Sequence, residues 1–144
     1  MTRSDRMQPI KEMADARERD AGQLVAGAQR LLAEREQQLV QLRQYRADYA
    51  NRAAREGAVD AVRLQNYHAF IARLDDAIRQ QQELVAAARQ DVERVTSAWQ
   101  ERRVEAASLG KVVDRIAAAE RKTADRREQR ETDERALRAR PRQD

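Results

Sequence analysis

The sequence predicts an all-α protein built as one long antiparallel two-helix coiled coil, and three observations carry that reading. Charged residues make up 38% of the 144-residue chain and aromatics 3%, while much of the 41% hydrophobic fraction is alanine. That is the profile of a long helix or coiled coil rather than of a compact core. Apolar residues recur at three- and four-residue steps through two long stretches, the spacing that keeps one helix face on a partner. Only one clear break separates the stretches, and four Gly and two Pro leave little turn chemistry for strands and loops.

The elements follow in order. Pro9 suits the first turn of a helix, where its missing N–H costs nothing. From there to about residue 55 a first helix carries Val25, Ala28, Leu32, Leu39, Leu42 and Tyr49 along one stripe, with Leu24, Leu31 and Tyr45 widening it on one side. Gly22 and Gly27 weaken it, each by about 1 kcal/mol relative to Ala. The break is Arg55-Glu56-Gly57-Ala58-Val59-Asp60. Gly57 suits a left-handed helix C-terminus, and Asp60 can cap the next helix through its free N–H groups. A link this short returns the chain as an antiparallel helical hairpin. The second helix, about 61–138, repeats its seam over many heptads: Leu64, Tyr67, Ile71, Leu74, Ile78, Gln81, Val85, Ala88, Val92, Val95, Trp99, Arg102, Ala106, Leu109, Val113 and Ile116. Pro141 marks its stop. The expected organisation is a single coiled-coil domain over 1–144, with helix 1 at about 9–55, a turn at 56–60 and frayed termini.

The two stripes test each other, because facing positions in an antiparallel pair add to a constant. A fold point near residue 58 sets Leu42 against Leu74, Leu39 against Ile78, Leu32 against Val85, Ala28 against Ala88 and Val25 against Val92. The same register sets Arg35 against Gln81, Ile10 against Ala106 and Met7 against Leu109. One register serving both helices is agreement across levels rather than a single propensity. Polar residues in such a seam cost stability and help to fix register. In this reading the N-terminal arm ends opposite about Val113, and the stretch from Val113 toward Arg138 has no partner in the chain. A lone helix there is marginal in water, so it frays or packs on something else.

Chemistry is sparse. The absence of cysteine excludes disulfides and thiolate chemistry and fits a cytosolic setting. No run nears the roughly 18 apolar residues of a membrane span, and the first 20 residues lack the apolar region of a secretory signal. The net charge of +4 invites nucleic acid, but acids interleave with bases throughout, down to Asp125, Glu128, Glu131, Asp133 and Glu134, and no aromatic is there to stack a base. No phosphate-loop, dinucleotide, zinc-protease or serine-hydrolase motif is present. His68, the one histidine, reads as an exposed helical residue, and Asp75 and Asp76 are helix neighbours whose carboxylates diverge. The expectation is a protein without catalytic residues, metal, cofactor, small-molecule ligand or nucleic-acid partner.

Two features stand apart from the plain seam. Trp99 lies on it as a core residue. Phe70, Ala77 and Leu84, spaced seven apart and one position before seam residues, form a second apolar strip that either broadens the core or meets a partner.

The stretch Asn66-Tyr67-His68-Ala69-Phe70-Ile71-Ala72-Arg73-Leu74-Asp75-Asp76-Ala77-Ile78, preceded by LRQYRADY at 42–49 and followed by Trp99, resembles the flagellar export protein family FliJ, as does the run Gln129–Arg138 with Asp133-Glu134. The resemblance spans nearly the whole chain. It implies an antiparallel coiled coil similar to the γ-subunit stalk of rotary ATPases, acting without chemistry of its own in the flagellar type III export apparatus, peripheral to the inner membrane. It implies three partners: the hexameric export ATPase FliI, the cytoplasmic domain of the export gate FlhA, and export chaperones. The family's gate-contact strip falls on Phe70, Leu74, Ala77 and Gln81. The ATPase contact falls on the C-terminal end, at Val113, Ile116, Gln129, Asp133 and Glu134. The stalk proteins of virulence secretion systems (the YscO type) are similar, and a homodimeric scaffold pairing Val113–Ile116 with a second chain is the competing architecture.

Overall fold

The computed structural model describes residues 1–57 and 60–140. It holds two helices packed against each other as a hairpin, α1 from Arg3 to Glu56 and α2 from Ala61 to Arg138. The expected fold point near residue 58 and the expected stop at Pro141 lie outside the described residues.

Both caps flanking the loop form as their residues dictate. Gly57 takes φ 74°, a left-handed conformation that costs other L-residues about 1–2 kcal/mol, and its N–H reaches the Ala53 carbonyl at 3.2 Å. The Asp60 carboxylate accepts from the Arg63 N–H at 2.7 Å and its carbonyl from the Leu64 N–H at 3.1 Å.

The start of α1 differs from the expectation. It begins at Arg3, six residues before Pro9, because Thr2 and Asp5 cap it reciprocally. The Asp5 N–H donates to Thr2 Oγ1 at 3.2 Å and the Thr2 N–H to Asp5 Oδ2 at 3.1 Å. The Thr2 hydroxyl, and next the Thr2 N–H, hold the Asp5 carboxyl below the usual carboxylate range. Pro9 therefore lies inside the helix, with no N–H to give, on an exposed face.

Packing divides the described chain into two units. In the unit Asp20–Trp99 the expected apolar seam positions are covered, apart from Leu64, and the register is visible in single contacts. The Gln81 side-chain amide donates to the Arg35 carbonyl at 2.9 Å and to Gln38 Oε1 at 3.1 Å. The Tyr49 and Tyr67 rings stack with centroids 5.7 Å apart. Leu39, Leu74, Val85, Ala88 and Val95 form the core. Trp99 packs on α1 at Gly22, where a Cβ would stand 3.4 Å from the indole Nε1, an ordinary contact distance. Leu64, expected to open the seam, is 44% exposed, because the facing residue on α1 is the short Ala53 and the helices end there.

In the other unit, Met1–Arg19 packs with the part of α2 that begins at Gln100. Ala14, Ala106 and Val113 are buried, and Met7, Leu109 and Ile116 half-buried. Ile10 is not in the seam; it is 53% exposed, because heptad spacing back from Ala14 selects Lys11 and Met7. Lys11 lays its stem beside Gly110, with Cε 3.7 Å from where a Cβ would stand. Arg102 is exposed and turns to Glu105 at 3.2 Å. At the end of the pairing Glu120 of α2 caps α1: the Ser4 N–H donates to Oε1 at 3.0 Å and the Ser4 hydroxyl to Oε2 at 2.5 Å. Val113 and Ile116 are thus covered within the chain, contrary to the expectation of an overhang from Val113, since α1 starts earlier and also lies further along α2 than the expected pairing of Met7 with Leu109 and Ile10 with Ala106: Ser4 meets Glu120 and Lys11 lies beside Gly110. The overhang begins at Arg121, and every residue from there to Arg140 is exposed. No described helix is long and apolar enough to cross a membrane.

Two measurements bear on this packing. A Cβ added at Gly27 would meet no atom within 4 Å, so Gly27→Ala raises stability by about 1 kcal/mol, whereas Gly57→Ala lowers it by about 1 kcal/mol, both read by urea titration. The Glu120 carboxyl is held below its ordinary range chiefly by the Ser4 hydroxyl. A depressed carboxylate contributes fully above its unfolded pKa and loses that contribution as pH falls through the folded one. Acidification, or Glu120→Gln at neutral pH, therefore speeds hydrogen exchange at Ser4–Met7 while leaving Leu74–Val95 protected.

Candidate partner-binding faces

The residues expected to meet the gate do not share one environment. Leu74 is 8% exposed and Gln81 8% exposed, both in the seam. Phe70 and Ala77 are half-buried on its flank, and Leu84 continues that flank at 43% exposure. The Phe70 ring is committed to α1: it lies 4.5 Å from the Tyr49 ring and meets Tyr45 edge-on at 6.2 Å. The strip open to a partner is therefore Phe70–Ala77–Leu84, with Leu74 and Gln81 beneath it.

The two flanks of the unit Asp20–Trp99 are chemically opposite. On one side cross-helix ion pairs close the seam. Arg46 Nε meets Asp75 Oδ1 at 2.5 Å, and Arg89 meets Glu36 at 3.3 Å. The Arg46 hydrogen bond holds the Asp75 carboxyl below its usual range. Asp76 pairs instead with Arg79 on its own helix, so the adjacent carboxylates point to different partners. On the other side Leu24 and Tyr45, expected to widen the buried stripe, are 64% and 50% exposed, and Leu31 is 40% exposed. They lie one position before seam residues, as Phe70, Ala77 and Leu84 do, and the Tyr45–Phe70 contact places both sets on one face. Spacing by multiples of seven, with Gln38 between Leu31 and Tyr45, is the sequence signal that separates them from the seam.

The C-terminal helix offers a different surface. Gln129 Nε2 donates to Asp133 Oδ1 at 3.2 Å, and Thr132 back-bonds to the Glu128 carbonyl at 2.9 Å. Gln129, Asp133 and Glu134 are exposed, while Val113 and Ile116 are not, so the five residues expected at the ATPase are split between a solvated surface and a covered root. His68 is exposed with its ring 5.4 Å from Tyr67. Among the described residues no three His, Cys, Asp or Glu gather as a metal site.

With a seam, one apolar flank and a helical end that has no second helix beside it among the described residues, the chain is of the class of all-α coiled-coil hairpins. A family model described as "Flagellar FliJ protein" matches residues 3–143, and the chain belongs to that family. It is accordingly a component of the flagellar export apparatus, in a family of non-enzymatic stalk proteins. No match is found among curated proteins.

Phe70→Ala is expected to lower stability by about 2 kcal/mol, below the full cost of a buried aromatic, because the ring is half-covered by Tyr49 and Tyr45. Leu84→Ala, on the exposed part of the same strip, changes stability by under about 0.5 kcal/mol. Denaturant titration of the two variants checks the contrast.

Proposed function

We propose that the chain is a stalk that couples the export ATPase to the export gate without chemistry of its own. The reading rests above all on the end of α2 from Arg121 to Arg138, whose side chains are all exposed and which has no second helix beside it among the described residues. Such a helix is marginal in water and gains most from a protein cavity that closes around it. The FliI hexamer is the proposed host, with Gln129, Asp133 and Glu134 as contact groups and Val113 and Ile116 anchoring the root. The cytoplasmic domain of FlhA is the proposed partner of the Phe70–Ala77–Leu84 strip, with Leu74 and Gln81 setting its shape from below. Escort of export chaperones belongs to the same reading through the family.

Truncation after Glu120 separates the two contacts. Binding to the ATPase is lost while the helical hairpin and gate binding persist; a truncated chain that still binds the ATPase sinks the ring assignment. For the gate, Ala77→Asp with Leu84→Asp is the cleaner variant, since it leaves the Tyr49–Phe70 contact in place. It is expected to weaken gate binding at least about tenfold, a cost of roughly 1.4 kcal/mol, with unchanged circular dichroism, and unchanged binding rejects the gate assignment.

A further inference from the structure

The exposed end of α2 sorts its charge by height. From Arg121 to Arg127 the cations Arg121, Lys122, Arg126 and Arg127 stand against one acid, Asp125. From Glu128 to Glu134 the balance reverses, and Glu128, Glu131, Asp133 and Glu134 stand against Arg130. From Arg135 to Arg140 the charged residues are Arg135, Arg138 and Arg140, with no acid among them. The Ala139 N–H bonds the Arg135 carbonyl at 3.0 Å, so this last band continues the helical path. Each band occupies about one heptad, or about 10 Å along the axis. The Debye length is also about 10 Å at 0.1 M salt, so a partner senses each band separately.

Around the circumference there is no such order. Successive residues point about 100° apart, so the acids of the middle band aim in different directions and leave no half of the circumference bare. The cations of the first band do the same. Among the described residues none of these groups is in an ion pair, so the bands are available to a partner. A helix that docks on a flat surface gains only from charge on one face, and this segment has no such face. A host that encloses the helix gains from every direction at once, provided that its own charge changes with height.

We infer that the segment from Arg121 to Arg140 fits a closed protein channel lined by three belts, acidic at the mouth, basic in the middle and acidic at the inner end. The inference rests on the reading above that a cavity of the export ATPase takes this end, and it adds what that cavity carries and what the contact fixes. A shift by one heptad along the axis lays like charge on like, which is repulsive, so the belts set the depth of insertion. Rotation about the axis keeps every band within its belt, so the belts leave the angle free. A nucleic-acid strand or an anionic bilayer fits worse, since its uniform negative charge meets the carboxylates of the middle band.

Two exchange variants of the full chain, each with composition and net charge unchanged, separate height from face. Arg127→Glu with Glu131→Arg moves charge between bands, yet the two positions lie about one helical turn apart on the same face. It also sets an acid four residues before a base, an arrangement that supports the helix. Glu128→Arg with Arg130→Glu moves charge to the far side of the helix and keeps it within its band. All four positions are exposed, so the hairpin is untouched. Affinity for the export ATPase is measured at about 0.1 M salt, where the bands are resolved. The first exchange is expected to weaken binding at least about tenfold and the second by less than about threefold, with unchanged circular dichroism in both. Equal weakening by both, or greater weakening by the second, overturns the inference, because the host then reads a face. Unchanged binding in both also overturns it, because charge height is then not read, while the ring assignment stands. A chain that fails to bind the ATPase before any exchange fails the ring assignment itself and takes this inference with it.

Discussion

The seam is the constraint on which everything else depends. Two helices alone can bury only one layer of side chains between them, and each of those side chains has a partner on one side and water on the other. The least exposed core residue, Val85, still shows 4% of its surface, and among the described residues no large side chain is fully enclosed. Cohesion is therefore spread along the length of the pair instead of being concentrated in a core. That is why the 3-4 spacing has to hold through long stretches of both helices, and why small residues such as Ala28, Ala88 and Ala106 are useful in it.

A seam this thin tolerates polar members if each finds a partner. Gln81 is buried and gives its amide hydrogens to Arg35 and Gln38. Arg46 sits at a heptad position and resolves its charge on Asp75 across the seam. Near the start of α1 polar heptad positions (Ser4, Lys11, Glu18) alternate with apolar ones (Met7, Ala14), which pack with Leu109, Val113 and Ile116 of α2 in the same unit. There the capping by Glu120 and the Thr2–Asp5 box add to the burial of Ala14, Ala106 and Val113 as restraints.

The functional consequence is that the surface is divided. Ion pairs close one flank of the seam in the unit Asp20–Trp99, and exposed Leu and Tyr side chains beside half-buried Phe70 and Ala77 line the other. Past Glu120 the second helix continues without a partner among the described residues, and Gln129 and Thr132 bond within its own turns.

By itself the sequence determined the helical class, the hairpin and the family, but not the register of the N-terminal arm, where Ser4 meets Glu120 and Lys11 lies beside Gly110. What it did determine follows from periodicity and from cap residues, and both are local: Gly57 and Asp60 do at the break what their chemistry requires, and the Arg35–Gln81 pair meets as the spacing says. The tertiary structure decided what the sequence could not weigh. Whether Leu24, Leu31 and Tyr45 are core or surface depends on how wide a groove a single partner helix can fill, and one helix fills only the heptad positions. Where the overhang begins depended on a start at Arg3 that rests on Glu120, over a hundred residues away, and no local pattern carries that contact. Likewise the contact of Trp99 with α1 at Gly22 exists only when the second helix is beside the first, and no local pattern carries it.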